Sequence, residues 1–276
     1  MRHFSWISRS FPTVPDVFPC KDARPVCPVT FDDMKILYLD EVDSTNAYIM
    51  REVDSLEPPV MVTAYRQTAG QGQRGNSWEA EPGKNLTFSI LYRPAGLPPM
   101  AQFAMSEAVA LAVVDFLSVH GLEAKVKWPN DIYVGDRKIC GILIRHSITS
   151  TRVDYSVIGV GINANQTEFL SDAPNPVSMA QLTGERYNVG SLYAEIAAII
   201  ESRLEHIGED DYRRAIHSEF MGRLWRGDGK EHPFMDTATG ERFVASIADI
   251  AVHGPMTLRL SDGSERTYAF KEVAFV

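Results

Sequence analysis

A proline within a strand-like segment constrains the local fold most strongly, in the stretch Lys-Trp-Pro-Asn-Asp at residues 127–131. Pro129 lacks an N–H group, and its ring disfavours helical backbone at the residue before it. The pattern therefore predicts a strand that ends at Trp128. The turn that follows presents Asn130 and Asp131, which we expect at the rim of a binding site.

A second strand is predicted at residues 138–144, after turn-forming residues at 134–137. Strict alternation places Lys138 with Cys140 on one face of this strand and Gly141 on the other. Two lysines, a carboxamide and a carboxylate then surround one hairpin, a combination that suits an anionic ligand. Each charge taken alone is explained equally well as a solvated turn residue.

The composition is that of an ordinary globular protein, with 276 residues, of which 45% are hydrophobic and 23% charged. A net charge of −9 argues against a nucleic-acid partner, because surfaces that bind nucleic acids are usually strongly basic. We expect no membrane span, since no segment approaches the ~18–20 apolar residues that a bilayer requires. Cys20, Cys27 and Cys140 are too few and too irregularly spaced for a disulfide framework or a closed zinc site, which favours a cytoplasmic location.

The chain divides into three predicted parts. Residues 1–34 lack helical or alternating periodicity and are predicted to be an irregular N-terminal extension, which raises the hypothesis that translation starts at Met34. Residues 35–225 mix helical and strand patterns and predict an α+β domain. Residues 226–276 hold short alternating strands separated by turn dipeptides, which indicates a small appended β-barrel.

Periodicity also predicts the main elements of the α+β domain. The helix-capping cluster at residues 43–46 opens the first helix. Strands are predicted at residues 36–39, 60–65, 86–92 and 155–162, and helices at residues 45–53, 99–119, 191–206 and 210–224.

The loop at residues 70–75 spells Gly-x-Gly-x-x-Gly, the fingerprint of dinucleotide-binding folds. That fingerprint requires a helix that opens at its later glycines, whereas Pro82 and Gly83 interrupt the residues that follow. A P-loop is excluded as well, because its Gly-x-x-x-x-Gly-Lys-Ser/Thr pattern does not occur. We therefore interpret residues 70–84 as a mobile lid over a ligand, with a surface loop of no function as the alternative.

Glycines alternate along a predicted strand at residues 157–163. Gly159, Gly161 and Asn163 share one face, which therefore consists of bare backbone and one carboxamide. Strand glycines often mark the close approach of a ligand or of another backbone. A ligand surface and a tightly packed bulge or helix explain this motif equally well when it is taken alone.

Together these motifs resemble those of biotin protein ligases. The resemblance extends over roughly residues 35–276 and rests on five separated motifs in the family's order and spacing, at residues 43–46, 67–78, 127–131, 136–143 and 159–163. The residues before the catalytic domain are too few and too rich in proline for the winged helix of the bifunctional repressors. The chain therefore resembles the monofunctional form without a DNA-binding domain.

The resemblance implies an α+β fold with a mixed sheet flanked by helices, of the kind found in class II aminoacyl-tRNA synthetases, and a small C-terminal SH3-like β-barrel. It implies a catalytic domain at residues 35–225 and the barrel at residues 226–276. The implied activity is ATP-dependent biotin–protein ligation, with biotin and ATP as substrates and Mg²⁺ as cofactor. The implied partner is the biotin carboxyl carrier protein of acetyl-CoA carboxylase or of a related carboxylase.

The resemblance also assigns roles to individual residues. Lys138 is expected at the biotin carboxylate and then at the acyl phosphate, and Asp131 is expected to hold Mg²⁺, so both are predicted catalytic residues. The expected biotin-binding residues are Ser44, Thr45, Asn46, Gln67, Gln71, Gly72, Gln73, Lys138 and Gly141. The expected ATP-binding residues are Arg74, Trp78, Lys127, Asn130, Asp131 and Asn163, with the Trp78 ring closing over adenine.

One motif departs from the family pattern. Members usually carry arginine after the first glycine of the loop and often after the second, where this chain has Gln71 and Gln73. Only Arg74 remains as a cation there. Glutamine donates hydrogen bonds but carries no charge, so we expect weaker retention of the biotinyl adenylate.

Two alternatives accompany this interpretation. A lipoate or octanoate ligase of related fold is disfavoured by the Lys-Trp-Pro-Asn-Asp motif and by the lack of that family's arginine- and glycine-rich loop. A non-catalytic biotin sensor is disfavoured because Asp131 and Lys138 are both present. Labelling of a carrier domain with biotin, lipoate or octanoate separates the three.

Overall fold

The computed structural model describes residues 26–31, 34–171 and 175–276. Residues 1–25, most of the predicted N-terminal extension, lie outside this part of the chain. The described residues form two β-sheets, of eight and five strands, and the helices pack on the larger sheet.

The larger sheet contains strands β1 (Val26–Phe31), β2 (Met34–Val42), β3 (Val60–Gln67), β4 (Leu86–Tyr92), β5 (Ala124–Lys127), β6 (Asp131–Val134), β7 (Arg137–Ile148) and β8 (Val153–Ile162). Their spatial order is β1-β2-β3-β4-β8-β7-β6-β5. Strands β2 and β3 run parallel, while the other neighbouring pairs are antiparallel. The mixed sheet predicted from the sequence is thus confirmed.

The helices are α1 (Thr45–Glu52), α2 (Phe103–Val119), α3 (Met179–Thr183), α4 (Val189–Leu204) and α5 (Asp210–Gly222). Helix α1 begins where the capping cluster predicts, because the Ser44 side chain accepts a hydrogen bond from the Ala47 N–H. After α2 the chain turns at Gly121, which adopts a positive φ of 74°. The helices predicted at residues 191–206 and 210–224 correspond to α4 and α5.

Helix α2 is apolar on nearly all sides and lies at the centre of the main hydrophobic core. The segment Pro99–Val119 is 21 residues long with a mean hydropathy of 1.5, long and apolar enough by length and composition to cross a membrane. The expectation that no segment approaches this threshold is therefore wrong. Because 72% of the segment's apolar window is buried within the fold, its composition is explained by its place in the core.

The C-terminal sheet is antiparallel and has five strands, β9 (His232–Asp236), β10 (Arg242–Ile250), β11 (Met256–Leu260), β12 (Glu265–Tyr268) and β13 (Val273–Phe275). Their order is β12-β11-β10-β9-β13. Trp128 connects this sheet to the larger one, since its indole N–H donates to the Gly254 carbonyl at 2.9 Å. Its ring also lies 5.3 Å from that of Phe270, which packs against Phe103 of α2. These contacts hold the C-terminal sheet against the loop that contains Pro129.

Strand β1 corrects part of the predicted N-terminal extension. Residues 26–31 were expected to be irregular, yet they pair antiparallel with β2. Pro28 obscures the alternating pattern of a strand in the sequence, and the register shifts between Val26 and Val29 on either side of it. The strand lies at the edge of the sheet, where a residue without an N–H group is tolerated.

Candidate active site

A cavity of about 750 Å³ opens between the larger sheet, the loop at residues 70–78 and the C-terminal sheet. Most of the residues singled out in the sequence line it, although they come from six separate segments of the chain. They fall at residues 44–46, 67, 71–78, 127–131, 138–141 and 159–161. Those that line it are Ser44, Thr45, Asn46, Gln67, Gln71, Gly72, Gln73, Trp78, Lys127, Asn130, Asp131, Lys138, Gly141, Gly159 and Gly161.

A β-bulge turns Lys138 into this cavity. Strict alternation would place Lys138 and Gly141 on opposite faces of β7, but both line the cavity, and Lys138 Cε would lie 3.6 Å from a Cβ atom at Gly141. Ile132 of β6 pairs with Cys140 of β7, and the next residue, Tyr133, pairs with Lys138. Ile139 therefore has no partner opposite it in β6, and it is buried. The predicted facing of Lys138 is therefore wrong, because the extra residue reverses the alternation.

Lys138 and Asp131 form an ion pair within the cavity, with 2.7 Å between Nζ and Oδ1. Their side chains remain 20% and 21% exposed, so both are accessible to a ligand. The backbone places Asp131 opposite Gly141 in the β6–β7 pair. This cation and carboxylate thus stand beside a surface that has no side chain.

Asn130 holds the turn before β6. Its Nδ2 donates to the Ile142 carbonyl at 2.7 Å, and its own carbonyl accepts from the Ile142 N–H at 2.9 Å. The turn therefore joins β7 through both the side chain and the backbone of one residue. This accounts for the rigid placement of Asp131, the next residue.

Lys127 lies in an aromatic enclosure at the end of β5. Its Nζ donates to the Tyr133 hydroxyl at 2.9 Å and lies 5.6 Å from the ring centres of both Trp225 and Phe275. Burial lowers the pKa of Lys127, although the charge of Asp131 opposes this effect. Three aromatic rings, from β6, β13 and the turn after α5, thus surround one ammonium group at the cavity wall.

The opposite end of the cavity is polar and buried. Gln67 Oε1 accepts from the Thr45 N–H at 2.7 Å, and the hydroxyls of Thr45 and Ser89 are 2.9 Å apart. Asn46 is only 3% exposed, and neither its Nδ2 nor its Oδ1 has a hydrogen-bond partner among the residues that the structure describes. A buried amide without partners is costly, which indicates that a ligand with both donors and acceptors satisfies it.

Glycines form the floor between the two ends. Gly159 on β8 is paired with Leu143, and Gly161 with Gly141. A Cβ atom at Gly159 would lie 3.2 Å from Asn46 Nδ2, and one at Gly161 would lie 2.5 Å from Trp78 Nε1. Both glycines have a close neighbour where a side chain would otherwise stand, as the sequence predicts. For Gly161 that neighbour is the indole of Trp78.

The loop at residues 70–78 is closed on itself by backbone hydrogen bonds. The Trp78 N–H donates to the Gly70 carbonyl at 2.9 Å, and the Gly72 N–H to the Asn76 carbonyl at 2.7 Å. The side chain of Gln71 accepts a hydrogen bond from Arg145 of β7 at 2.9 Å. A cation from the strand therefore meets the position where the family carries a cation in the loop.

Two of the predicted site residues are not assembled with the others. Asn163 does not line the cavity, because β8 ends at Ile162 and the Asn163 amide donates to the Val177 carbonyl at 3.1 Å. Its predicted contact with ATP therefore has no geometric basis in this state. Arg74 lies in a short 3-10 turn, Gln73–Gly75, and its side chain lies outside the described part of the structure.

The cavity also contains residues that sequence reasoning missed. Thr87 and Ser89 project from β4 into the polar end. Polar residues at alternate positions of the otherwise apolar segment 86–92 were a signal for this face. Lys271 and Phe275 enter from the C-terminal sheet, and no local pattern marks them. Cys140, by contrast, is a buried free thiol in the core.

Sequence comparison finds a family model that matches this part of the chain. The profile of the biotin/lipoate A/B protein ligase family matches residues 38–163, which contribute most of the cavity wall. Over this span the chain is similar to biotin/lipoate A/B protein ligases. The matched span ends just after the glycines of β8.

Curated relatives of this chain include biotin–protein ligases. The biotin–acetyl-CoA-carboxylase ligase of Paracoccus denitrificans is 34% identical over 128 residues, covering 45% of this chain and 52% of that protein. Its namesake from Mycobacterium tuberculosis is 30% identical over 169 residues, covering 58% and 62%. The bifunctional ligase/repressor BirA of Escherichia coli is 34% identical over 133 residues, covering 48% and 41%. The chain spans about half the length of the curated relatives it matches.

Solved structures extend the likeness to nearly the whole described fold. The biotin protein ligase from Aquifex aeolicus in complex with biotin and ATP superposes with a TM-score of 0.68 at 20% identity, over 87% of this chain and 98% of that one. At this identity the likeness shows a shared fold. The chain therefore has the biotin protein ligase-like fold, a mixed sheet flanked by helices.

Proposed function

We propose that this protein is an ATP-dependent biotin–protein ligase, which makes biotinyl-5′-AMP and then transfers biotin to one lysine of a biotin carboxyl carrier protein. One observation carries the proposal. A single cavity joins a buried amide without partners, Asn46, to the Lys138–Asp131 ion pair across a floor of glycine backbone. That arrangement fits a ligand with a polar ring at one end and a carboxylate at the other.

The polar end suits the ureido ring of biotin. A ureido group offers one carbonyl acceptor and two N–H donors, and the groups at this end offer both kinds of partner. Asn46 supplies an unused donor and acceptor, while the hydroxyls of Thr45 and Ser89 already bond to each other. The dithiolane ring of lipoate has no such groups and would leave Asn46 unsatisfied. This favours biotin over lipoate or octanoate.

The other end suits adenylation. A biotin carboxylate oxygen forms a bond to the α-phosphorus of ATP, and the bond from that phosphorus to the β-phosphate bridging oxygen breaks, releasing pyrophosphate. Both reactants are anions, so fixed cations are needed to bring them together. Lys138 stands at the glycine floor, where the carboxylate would arrive, and Lys127 lies further along the wall. The Trp78 ring would close over adenine once it leaves the floor.

The second half-reaction needs no covalent enzyme intermediate. The amine of the carrier lysine attacks the acyl carbon of biotinyl-5′-AMP, and the bond from that carbon to the phosphate oxygen breaks as AMP departs. The amine loses a proton in the process. Lys138 stays beside the departing phosphate and stabilises its charge.

Asp131 fits the role of a Mg²⁺ ligand. The described residues contain no cluster of three or more His, Cys, Asp or Glu side chains that would hold a metal by themselves. Magnesium in nucleotide sites is usually held by one or two carboxylates together with substrate phosphates. Asp131 Oδ1 pairs with Lys138, which leaves its second oxygen for the ion. Bound there, the metal would neutralise phosphate charge.

Finer features of the resemblance belong to the same proposal. We take the C-terminal sheet to be an SH3-like barrel, residues 226–276 to be its domain, and the carrier to be a subunit of acetyl-CoA carboxylase or a related carboxylase. The antiparallel order of strands β9–β13 is compatible with such a barrel. A cytoplasmic location follows from cysteine usage.

A labelling experiment tests the proposed function. Purified protein is incubated with MgATP, a carrier domain lacking biotin, and either biotin, lipoate or octanoate, and the carrier is weighed by mass spectrometry. We expect a mass gain of one biotinyl group and none from the other two acids. Lipoyl or octanoyl transfer would favour the related ligase, and biotin binding without any transfer would favour the sensor.

Asn46→Ala supplies the matching variant. It removes the amide that awaits the ureido ring, so the KM for biotin should rise by roughly tenfold to a hundredfold, as for loss of one or two buried hydrogen bonds. Ser150→Ala, at an exposed position between β7 and β8 that does not line the cavity, is the control. An unchanged KM in Asn46→Ala would remove the observation on which biotin recognition rests.

A further inference from the structure

Lys271 brings a cation into the cavity from the C-terminal sheet. It is exposed at the cavity wall, between β12 and β13, and has no ion-pair partner among the residues that the structure describes. Asp131, by contrast, is already paired with Lys138. Lys271 is therefore a free positive charge in a cavity proposed to bind a highly charged anion.

The backbone of Lys271 is held in an unfavourable conformation. Its φ is 71°, in the left-handed region that favours glycine. The surrounding turn enforces it, because the Thr237 hydroxyl donates to the Lys271 carbonyl at 2.7 Å and the Glu272 N–H donates to the Ala269 carbonyl at 3.1 Å. A lysine maintained where glycine would fit at lower cost points to a role for its side chain.

The neighbouring residue fixes this turn against the catalytic domain. The ring of Phe270 lies 5.3 Å from that of Trp128, the residue before Pro129, and packs on Phe103 of α2. Phe275, on the following strand, lies 5.6 Å from Lys127 Nζ. The turn thus packs against the segment that carries Asn130 and Asp131.

We propose that Lys271 binds the β- and γ-phosphates of ATP and steadies the pyrophosphate as it departs. This inference rests on the proposed function and deepens it. We assign the carboxylate and the α-phosphate to the pair of Lys138 and Asp131. Lys271 lines the same cavity from the C-terminal sheet, whose Phe275 lies 5.6 Å from Lys127 Nζ, so we assign the remaining phosphates to Lys271. The biotinyl adenylate lacks those phosphates, so Lys271 acts in adenylation and has no part in transfer.

Substitution of Lys271 by glycine tests the proposal with a variant that is expected to fold. Lys271→Gly removes the charge and also relieves the strain of a positive φ, so the variant should fold at least as well as the wild type. Lys271→Arg keeps the charge. Lys230→Gly, which removes an exposed lysine outside the cavity near the start of the C-terminal sheet, is the matched control.

The kinetic readout is the split between the half-reactions. In biotin-dependent pyrophosphate exchange, Lys271→Gly should raise the KM for MgATP and for pyrophosphate by about tenfold, as for one charge-assisted contact, while Lys271→Arg stays near wild type. Transfer from supplied biotinyl-5′-AMP should stay within about twofold. A wild-type KM for MgATP, or an equal loss in transfer, would overturn the assignment.

Isothermal titration calorimetry tests the role of Lys271 without any catalytic turnover. Titration of inorganic pyrophosphate, ATP and AMP into each protein measures binding without biotin. We expect Lys271→Gly to bind pyrophosphate and ATP more weakly than the wild type and to bind AMP equally well. If the variant bound all three ligands as tightly as the wild type, the proposed role of Lys271 would be rejected. Failure of the wild type to label a carrier would count against the proposed function, whereas these titrations count for or against Lys271 alone.

Discussion

The indole of Trp78 lies directly against the backbone of Gly161. A Cβ atom at Gly161 would be 2.5 Å from Trp78 Nε1, and one at Gly141 would be 2.9 Å from Trp78 Cζ3. Trp78 Nε1 is buried without a hydrogen-bond partner. The ring therefore covers the floor that the proposed ligand would occupy, and it has to move when that ligand binds.

Gly161→Ala tests this relationship. The added methyl group collides with the indole in the free protein and with any ligand chain on the floor, so overpacking should cost about 1–3 kcal/mol. We expect weaker biotin binding and a shifted Trp78 fluorescence spectrum. Gly222→Ala, where a Cβ atom meets nothing within 4 Å, is the control. Normal biotin affinity in Gly161→Ala would mean that the ligand does not lie on this face.

Lys138 should matter more for adenylation than for binding MgATP. The Lys138 ammonium is proposed to stabilise the negative charge that develops as carboxylate and phosphate approach. Lys138→Ala should then raise the activation free energy of adenylation by roughly 2–4 kcal/mol. Transfer from supplied biotinyl-5′-AMP should suffer less. Pyrophosphate exchange and single-turnover transfer measure the two steps.

A purely structural lysine gives a different result. Loss of the 2.7 Å pair with Asp131 would then change the free energy of unfolding by about 1 kcal/mol or less and leave both rates near normal. Asp131→Asn separates the roles further, since it removes the pair but keeps the Lys138 charge. Wild-type exchange by Lys138→Ala would exclude this residue from the mechanism.

The hydrogen bond from Arg145 to Gln71 changes how the missing loop arginine should be restored. Gln71→Arg alone places a second guanidinium beside Arg145, whose Nη2 is 2.9 Å from Gln71 Oε1. Like charges this close repel, so the single variant should gain little retention of biotinyl-5′-AMP. Gln71→Arg combined with Arg145→Glu replaces the contact by an ion pair and should slow release of the adenylate several-fold.

Stopped-flow release of biotinyl-5′-AMP measures this effect. Arg145→Gln is the companion variant, because it removes the strand cation without adding a loop cation. We expect it to release the adenylate faster than wild type. Equal release by all three variants would show that the loop's arginine role in the family does not extend to this chain.

His217 connects two helices and the C-terminal sheet. Its Nδ1 lies 2.7 Å from Glu107 Oε1 in α2, and its Nε2 lies 4.0 Å from Asp249 Oδ1 in β10. The hydrogen bond with Glu107 raises the pKa of His217. Burial raises the pKa of Glu107 in spite of that bond. Both groups therefore bind protons more tightly in the folded state.

These directions predict a loss of stability as pH rises. The contribution of His217 is complete below its unfolded pKa of about 6.5 and disappears as pH increases through the higher folded value. Glu107 acts in the same sense over a lower range, from about pH 4.3 upward. The Tm of wild type should therefore fall more than that of His217→Gln between about pH 6 and pH 9. Parallel curves for the two proteins would contradict the linkage.

The sequence by itself determined the elements and most of the site. Alternation and capping located the strands and helices of the α+β domain, because these patterns depend on neighbouring residues. Pro129 and the turn at residues 134–137 likewise predicted the chain reversals around Asp131. Residue type then indicated an anionic ligand, since charge and hydrogen-bonding capacity belong to each side chain wherever it lies.

Only the tertiary structure decided which side chains meet. The bulge at Ile139 turns Lys138 into the cavity, and it depends on pairing with β6, which local alternation does not contain. The orientation of the Asn163 amide likewise depends on a contact that local alternation does not contain, its hydrogen bond to the Val177 carbonyl. Lys271 reaches the cavity because Phe270 packs against Trp128, more than a hundred residues away. Contacts between distant segments depend on packing, so the sequence specifies the groups and the packed chain specifies their neighbours.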